Sequence, residues 1–397
     1  MYVQTFKDIF TTLYNERAYF RAMKIGVVCY PTFGGSGVVA TELGIQMAKA
    51  GHEIHFITYS QPVRLNILEE NIFYHEVNVH DYPLFEYQPY ELALSSKMVD
   101  TVLNEGIDLL HVHYAIPHAY AAYMAKKILL EKGKYLPVVT TLHGTDITLV
   151  GKNPSYKPAV TFSINKSDVV TCVSESLKKD TLSSFVIKQD IEVIPNFIDT
   201  SLYEMEGPCM RPQIAPNGEK IITHISNMRK VKRIPDVIEV FHRINKEEPS
   251  ILLMLGEGPE REKAEQQARD LGILDHVRFL GKTSEVYKLL CMSDLFLLPS
   301  ETESFGLVAL EAMAAKVPVI SSNAGGLSEV NLHGHTGFLA DVGDVASMAI
   351  QGLSLLQNKE LHEKFSENAY HRALEFSIKE IVPKYEAAYE RAMLAVR

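Results

Sequence analysis

No apolar run approaches the roughly 18 residues needed to cross a bilayer, so the sequence offers no membrane-spanning helix. Cysteine is scarce too. Cys29, Cys172, Cys209 and Cys291 lie too far apart for a metal or redox motif, which fits a reducing, cytoplasmic setting and removes a disulfide framework. Positive charge is in deficit: 39 Lys and Arg against 49 Asp and Glu leave a net charge of −10, a poor balance for nonspecific nucleic-acid binding. A local basic pocket for a small anion remains compatible with it. Tryptophan is absent, and neither a short-period repeat nor a low-complexity segment occurs.

What is present suffices for two cores. The 397 residues, 46% hydrophobic and 22% charged, exceed what one hydrophobic core usually serves. Residues 1–22 read as an N-terminal extension: Phe6, Ile9, Phe10, Leu13 and Tyr14 recur at roughly helical spacing, without the continuous apolar stretch of a signal peptide. A short strand from Lys24 to Tyr30 leads into Pro31-Thr-Phe-Gly-Gly-Ser-Gly37, then a helix from Val38 to Ala50 that stops at Gly51. Further strands are expected over 53–58, 107–113, 137–142, 168–173 and 191–195, an alternation that predicts a parallel sheet covered on both faces. Gly35 to Ala40 satisfies a G-x-G-x-x-A dinucleotide fingerprint. The second strand, however, ends in Tyr59-Ser-Gln61 and lacks the acid that would hold a ribose, so a nicotinamide or flavin is not expected.

Between Asn196 and Lys220 the pattern dissolves into Pro- and Gly-rich sequence, an interdomain linker. A second set follows, with strands over 221–225, 251–255, 277–280, 295–298 and 317–321 and helices over 235–245, 260–271, 285–292 and 305–315. The expected fold class is α/β, two Rossmann-like domains in tandem: residues 23–198 and 199–375, with 376–397 a helix that packs back on the first.

Polar clusters sit where the strands end, the side on which open α/β sheets bind ligands. In the second half the strand 295–298 stops at Pro299, and a helix is expected from Phe305 with Glu303 just before it and Glu311 two turns in. Arg229, Lys230, Lys232 and Arg233 follow another strand of the same sheet, and Gly256-Glu-Gly258 a third. Cations with a helix N-terminus suit a diphosphate, whereas carboxylates suit hydroxyl groups. Together they point to a nucleotide sugar. No Asp-x-Asp triplet occurs, so the cations replace a divalent metal and no metal or other cofactor is expected.

The pair in Glu303-Ser-Phe-Gly-Leu-Val-Ala-Leu-Glu311, with Ala324-Gly-Gly-Leu327 and Gly334-His-Thr-Gly-Phe338, resembles the retaining glycosyltransferases of family 4, which have the GT-B fold. Cys29 to Glu42, Thr141 to Ile147 and His224-Ile-Ser-Asn227 are similar to a branch of that family serving bacillithiol biosynthesis. The resemblance implies transfer of N-acetylglucosamine from UDP-N-acetylglucosamine to the hydroxyl of L-malate. It assigns Glu303 to donor-sugar hydroxyls, Glu311 to the ribose, and Arg229 and Lys232 to the diphosphate with backbone N–H groups of Ser304, Phe305 and Gly306. Gly256, Asn227 and Lys282 complete the donor side, Lys282 near uracil, and His143 bonds the transferred sugar. The family's usual arginine falls on Asn227, so Arg229 stands in from a shifted loop. Malate is a dianion, and Gly35, Ser36, Arg64, Tyr114 and Thr145 are the candidates to receive it. Asp146 is the one acid near that face, which favours front-face displacement over a covalent intermediate. Rival readings are another acceptor, inositol phosphate or a lipid, and a sugar-nucleotide-binding protein without turnover. A homo-oligomer is compatible with all of them.

Overall fold

A computed structural model of the chain describes residues 22–395, apart from Phe33, 81–84, 204–209 and Ser284. Residues 1–21 of the expected extension, and Cys209, lie outside the described residues. Seven strands form the first sheet: β1 Lys24–Val28, β2 Glu53–Thr58, β3 Ile72–Glu76, β4 Leu109–His113, β5 Val138–Leu142, β6 Val169–Cys172 and β7 Ile191–Val193. Six form the second: β8 Lys220–Ile225, β9 Ser250–Leu255, β10 Val277–Gly281, β11 Leu295–Leu298, β12 Val319–Ser322 and β13 Gly337–Ala340. Neighbours run parallel throughout, in the orders β3-β2-β1-β4-β5-β6-β7 and β10-β9-β8-β11-β12-β13.

Burial on both faces explains why the strands read as apolar runs. Every residue of β4, β5, β9 and β11 is buried. Polar members of β4, β5 and β6 bond one another: Thr141 Oγ1 lies 2.7 Å from both Thr171 Oγ1 and His111 Nε2. Each sheet changes direction of winding once, between β1 and β4 and between β8 and β11. At such a switch point the flanking connections leave on opposite faces and open a crevice beyond the strand ends.

Several features depart from the sequence expectation. β3 and β13, both at sheet edges, and the helix Lys359–Leu374 were not anticipated. The helix after β11 begins at Leu307 rather than Phe305, because Gly306 has φ 96°, a left-handed conformation incompatible with the helix interior. The helix Ile378–Leu394 packs Ile381, Tyr385, Ala388 and Tyr389 with Ile25, Leu43 and Phe56 of the first half. Tyr389 OH and His111 Nδ1 lie 2.8 Å apart. Among the described residues, no helix is long and apolar enough to cross a membrane.

The halves also meet directly. Leu142, Ile147 and Leu177 share a core with Leu298, Phe305 and Leu327. The Ser174 hydroxyl donates to the Ser304 carbonyl at 2.6 Å. Glu329 accepts from the backbone N–H groups of Glu175 at 2.9 Å and Ser176 at 2.8 Å, so a carboxylate of the second half neutralises the N-terminus of the first-half helix Glu175–Ser184.

Candidate active site

At the second switch point the loops after β8 and β11 are joined by one ion pair. Lys232 Nζ donates to both Glu303 oxygens, at 2.6 and 2.7 Å, with both side chains largely shielded from solvent. Beneath them His224 Nδ1–H donates to the Leu297 carbonyl, and Nε2 faces Ser226 Oγ, each at 2.8 Å. Burial pushes this imidazole down to about 4, so it stays neutral beside Lys232. The turn at Gly325 and Gly326 supports the acidic loop, Gly326 N–H donating to the Glu303 carbonyl at 2.8 Å.

Phe305 is a core residue, packed edge-to-face on Phe376 at 5.6 Å, so only its backbone is available to a ligand. Arg229 and Asn227 are exposed on the loop after β8. Gly256, φ 108°, turns the chain after β9 and donates to the Gly281 carbonyl at 2.7 Å. Lys282, after β10, pairs with Glu257 at 3.3 Å on an open surface. Glu311 is buried, and desolvation pushes its carboxyl up to about 7, opposed by the nearby Arg64 guanidinium.

The first switch point has its own bridge. Ser36 Oγ and Tyr114 OH lie 2.6 Å apart, joining the turn after β4 to the first turn of the helix Gly35–Lys49, which begins three residues before the expected Val38 and takes Gly35 to Gly37 out of the expected loop. Tyr30 packs edge-on against Tyr114, with ring centroids 5.3 Å apart, and His143 lies 5.2 Å from Tyr114. Gly35 is exposed, and a Cβ there would lie 3.7 Å from Leu307, so the N-terminus of the helix Gly35–Lys49 faces the start of the helix Leu307–Ala314 across the cleft. Gly144 faces Ser304 more closely still: a Cβ would lie 1.7 Å from Ser304 Oγ. Thr145 is exposed beside it.

Asp146 is buried and accepts from the N–H groups of Ala115 at 2.8 Å and Gly144 at 3.0 Å, tying the loop after β5 to the turn after β4. Burial raises its carboxyl to about 6, against the pull of those hydrogen bonds. Arg64 stands apart from the Ser36–Tyr114 pair. It pairs with Glu42 at 3.4 Å and lines a cavity with Glu42, Asp199, Tyr203, Leu307 and Glu311. Among the described residues no cluster of three or more His, Cys, Asp or Glu is arranged to hold a metal ion.

Residues 33–202 match the family profile described as Glycosyltransferase Family 4, and residues 210–372 match Glycosyl transferases group 1. N-acetyl-alpha-D-glucosaminyl L-malate synthase of Bacillus anthracis is 49% identical over 370 residues, 92% of this chain and 96% of that protein. The chain belongs to glycosyltransferase family 4. Among solved structures, Anabaena Alr3699/HepE in complex with UDP and glucose has a TM-score of 0.80 at 19% identity, covering 93% of this chain and 99% of its own. A glycosyltransferase from Rickettsia africae ESF-5 has a TM-score of 0.77 at 20% identity, covering 94% and 99%. At those identities the likeness concerns the fold, which is GT-B, and the transferase has the two parallel-sheet Rossmann-like halves of that architecture.

Sequence reasoning missed the residues that join the transferase's halves. Ser174, Glu329 and the apposition of Gly144 to Ser304 link positions far apart in the chain, and no local pattern marks them. His113 carries no local mark of its own, because a β4 rich in histidine reads like any buried strand, and His118 lies in the turn beyond it. The signal was present in Leu109-Leu-His-Val-His113: two histidines at period two, on one face of a buried strand, require partners.

Proposed function

We propose that this transferase moves N-acetylglucosamine from UDP-N-acetylglucosamine to the hydroxyl of L-malate, with retention of the α configuration and without a metal ion. The substrates rest on one observation, the 49% identity along nearly the whole chain to the Bacillus anthracis malate synthase. The geometry supports the chemistry. Lys232 and Arg229, with the N–H groups of Ser304 to Gly306, neutralise the diphosphate as it departs. Glu303 exchanges its bond to Lys232 for hydroxyls of the donor sugar, and Glu311 receives the ribose hydroxyls. Asn227, Gly256 and Lys282 complete the nucleotide side.

His143 bonds the transferred sugar from the first half. Gly35, Ser36, Tyr114 and Thr145 receive malate, with Arg64 supplying positive charge from the neighbouring cavity. The acceptor oxygen bonds to the anomeric carbon on the face from which the phosphate oxygen leaves, and that phosphate oxygen takes the acceptor's proton. Asp146 is a poor nucleophile for a two-step alternative, since it is buried and its oxygens already accept two backbone N–H groups.

The test is UDP release with UDP-N-acetylglucosamine, with and without L-malate, before and after chelation. Malate-dependent release that survives chelation is expected. Release indifferent to malate overturns the acceptor, and activity abolished by chelation overturns the metal-free mechanism.

A further inference from the structure

Four histidines of the first half lie behind the cleft: His111 and His113 on β4, His118 beyond it and His143 after β5. All are buried, and desolvation pushes His111 and His143 down to about 3 and His118 to about 4, with His113 lowered as well. Each neutral ring therefore carries one N–H, and its partners decide which nitrogen bears it.

His118 Nδ1 lies 2.5 Å from the His113 carbonyl, which can only accept. The His118 proton is therefore on Nδ1, and its buried Nε2 is a lone pair without a partner among the described residues. His113 Nδ1 lies 2.8 Å from His143 Nε2, and His113 Nε2 is likewise buried without a partner. Two arrangements satisfy the pair. If His143 donates, the proton of His113 is forced onto Nε2 and becomes a buried N–H with nothing to accept it. If His113 donates, Nε2 is left as a lone pair, as in His118. Orphaned buried N–H groups are the rarer and costlier case.

We infer that His113 is a positioning residue whose Nδ1–H donates to Nε2 of His143, holding the His143 proton on Nδ1. With Nε2 engaged, Nδ1 is the ring nitrogen left to meet a ligand, and it meets it as a hydrogen-bond donor. Such a ring suits an oxygen of the transferred sugar and does not suit taking a proton from the acceptor. That leaves the departing phosphate oxygen to receive it.

This inference rests on the proposed contact between His143 and the transferred sugar, and its two tests separate the tautomer from that contact. The first is ¹⁵N NMR of the full chain labelled with [¹⁵N]histidine and free of substrate, with the His143 signals assigned by their loss in His143→Asn. The expected spectrum has His143 protonated at Nδ1, in the wild type and in His113→Asn, whose amide N–H replaces the imidazole Nδ1–H. In His113→Leu the proton should redistribute toward Nε2. An Nε2-protonated His143 in the wild type overturns the inference even if no variant folds, and so does an unchanged tautomer in His113→Leu.

The second test is kinetic. His113→Leu should lower kcat about tenfold, the effect of one misdirected neutral hydrogen bond, with little change in KM for the UDP-sugar and substantial rescue by His113→Asn. A shifted tautomer with unaltered kcat would overturn the contact between His143 and the sugar while leaving the tautomer assignment standing.

Discussion

Lys232 Nζ holds both oxygens of Glu303, at 2.6 and 2.7 Å, across the junction of β8 and β11 where the second sheet reverses its order. In the proposed function the same two groups serve the nucleotide sugar, the cation for phosphate and the carboxylate for hydroxyls. On that proposal the ion pair keeps both charges compensated until the donor exchanges with it.

Removing the cation should cost more than removing the carboxylate charge. Lys232→Met leaves Glu303 uncompensated and the diphosphate short of a charge-assisted bond, so kcat/KM should fall by roughly 100-fold, and Glu303→Gln by about tenfold. Rates of UDP release check both. The double variant should fall short of the product of the two losses, because the side chains contact each other. Strict multiplication would mean that they act independently in the transition state.

Gly144→Ala tests the contact between the halves. The added methyl would lie 1.7 Å from Ser304 Oγ, and the backbone φ of 114° is unfavourable to any side chain. Thermal unfolding should show a loss of about 2 kcal/mol or more, with transferase activity falling in parallel. A variant with wild-type stability and rate would show that Gly144 and Ser304 do not need to approach.

Glu311 makes stability depend on pH. Burial raises its carboxyl from 4.5 to about 7, so the folded state binds the proton more tightly than the unfolded chain does. The contribution is complete below the unfolded pKa and is lost as pH rises through the folded value. Between about pH 5 and about pH 8 the balance of stability should therefore move toward the neutral variant Glu311→Gln by roughly 1–3 kcal/mol. Denaturant melts of both proteins across that range measure it. A constant difference would mean that Arg64 holds the carboxylate ionised throughout.

Asp146→Asn should lower stability by about 2 kcal/mol, since an amide nitrogen would confront a backbone N–H of Ala115 or Gly144 where a carboxylate oxygen now accepts. Calorimetry checks the loss. Mass spectrometry of the wild type with a slow donor should detect no glycosyl group on Asp146.

Much of this architecture was legible in the sequence because parallel strands buried on both faces leave unbroken apolar runs. β2 and β11 were read to the residue, and the strand-end clusters around Ser36, Tyr114 and Glu303 followed from the alternation alone. β3 escaped because an edge strand such as Ile72-Phe-Tyr-His-Glu76, only partly buried, lacks that signature. The start of the helix at Leu307 was misjudged by two residues because Gly306 was not weighed as a left-handed cap. Pairing across the cleft was the least legible. Ser174 meets Ser304 and Glu329 caps Glu175 only once two separate sheets have been assembled.

The helix Ile378–Leu394 carries a consequence for how the protein is made. Tyr385 and Tyr389, enclosed against β1 and β4 residues, leave the ribosome only after the whole second sheet has done so. The N-terminal sheet must wait through the synthesis of the whole second half before its own apolar face is covered. The first half thus reaches its final packing only after the second half has been synthesised, and a nascent chain halted before Ile378 would leave that face open to chaperones.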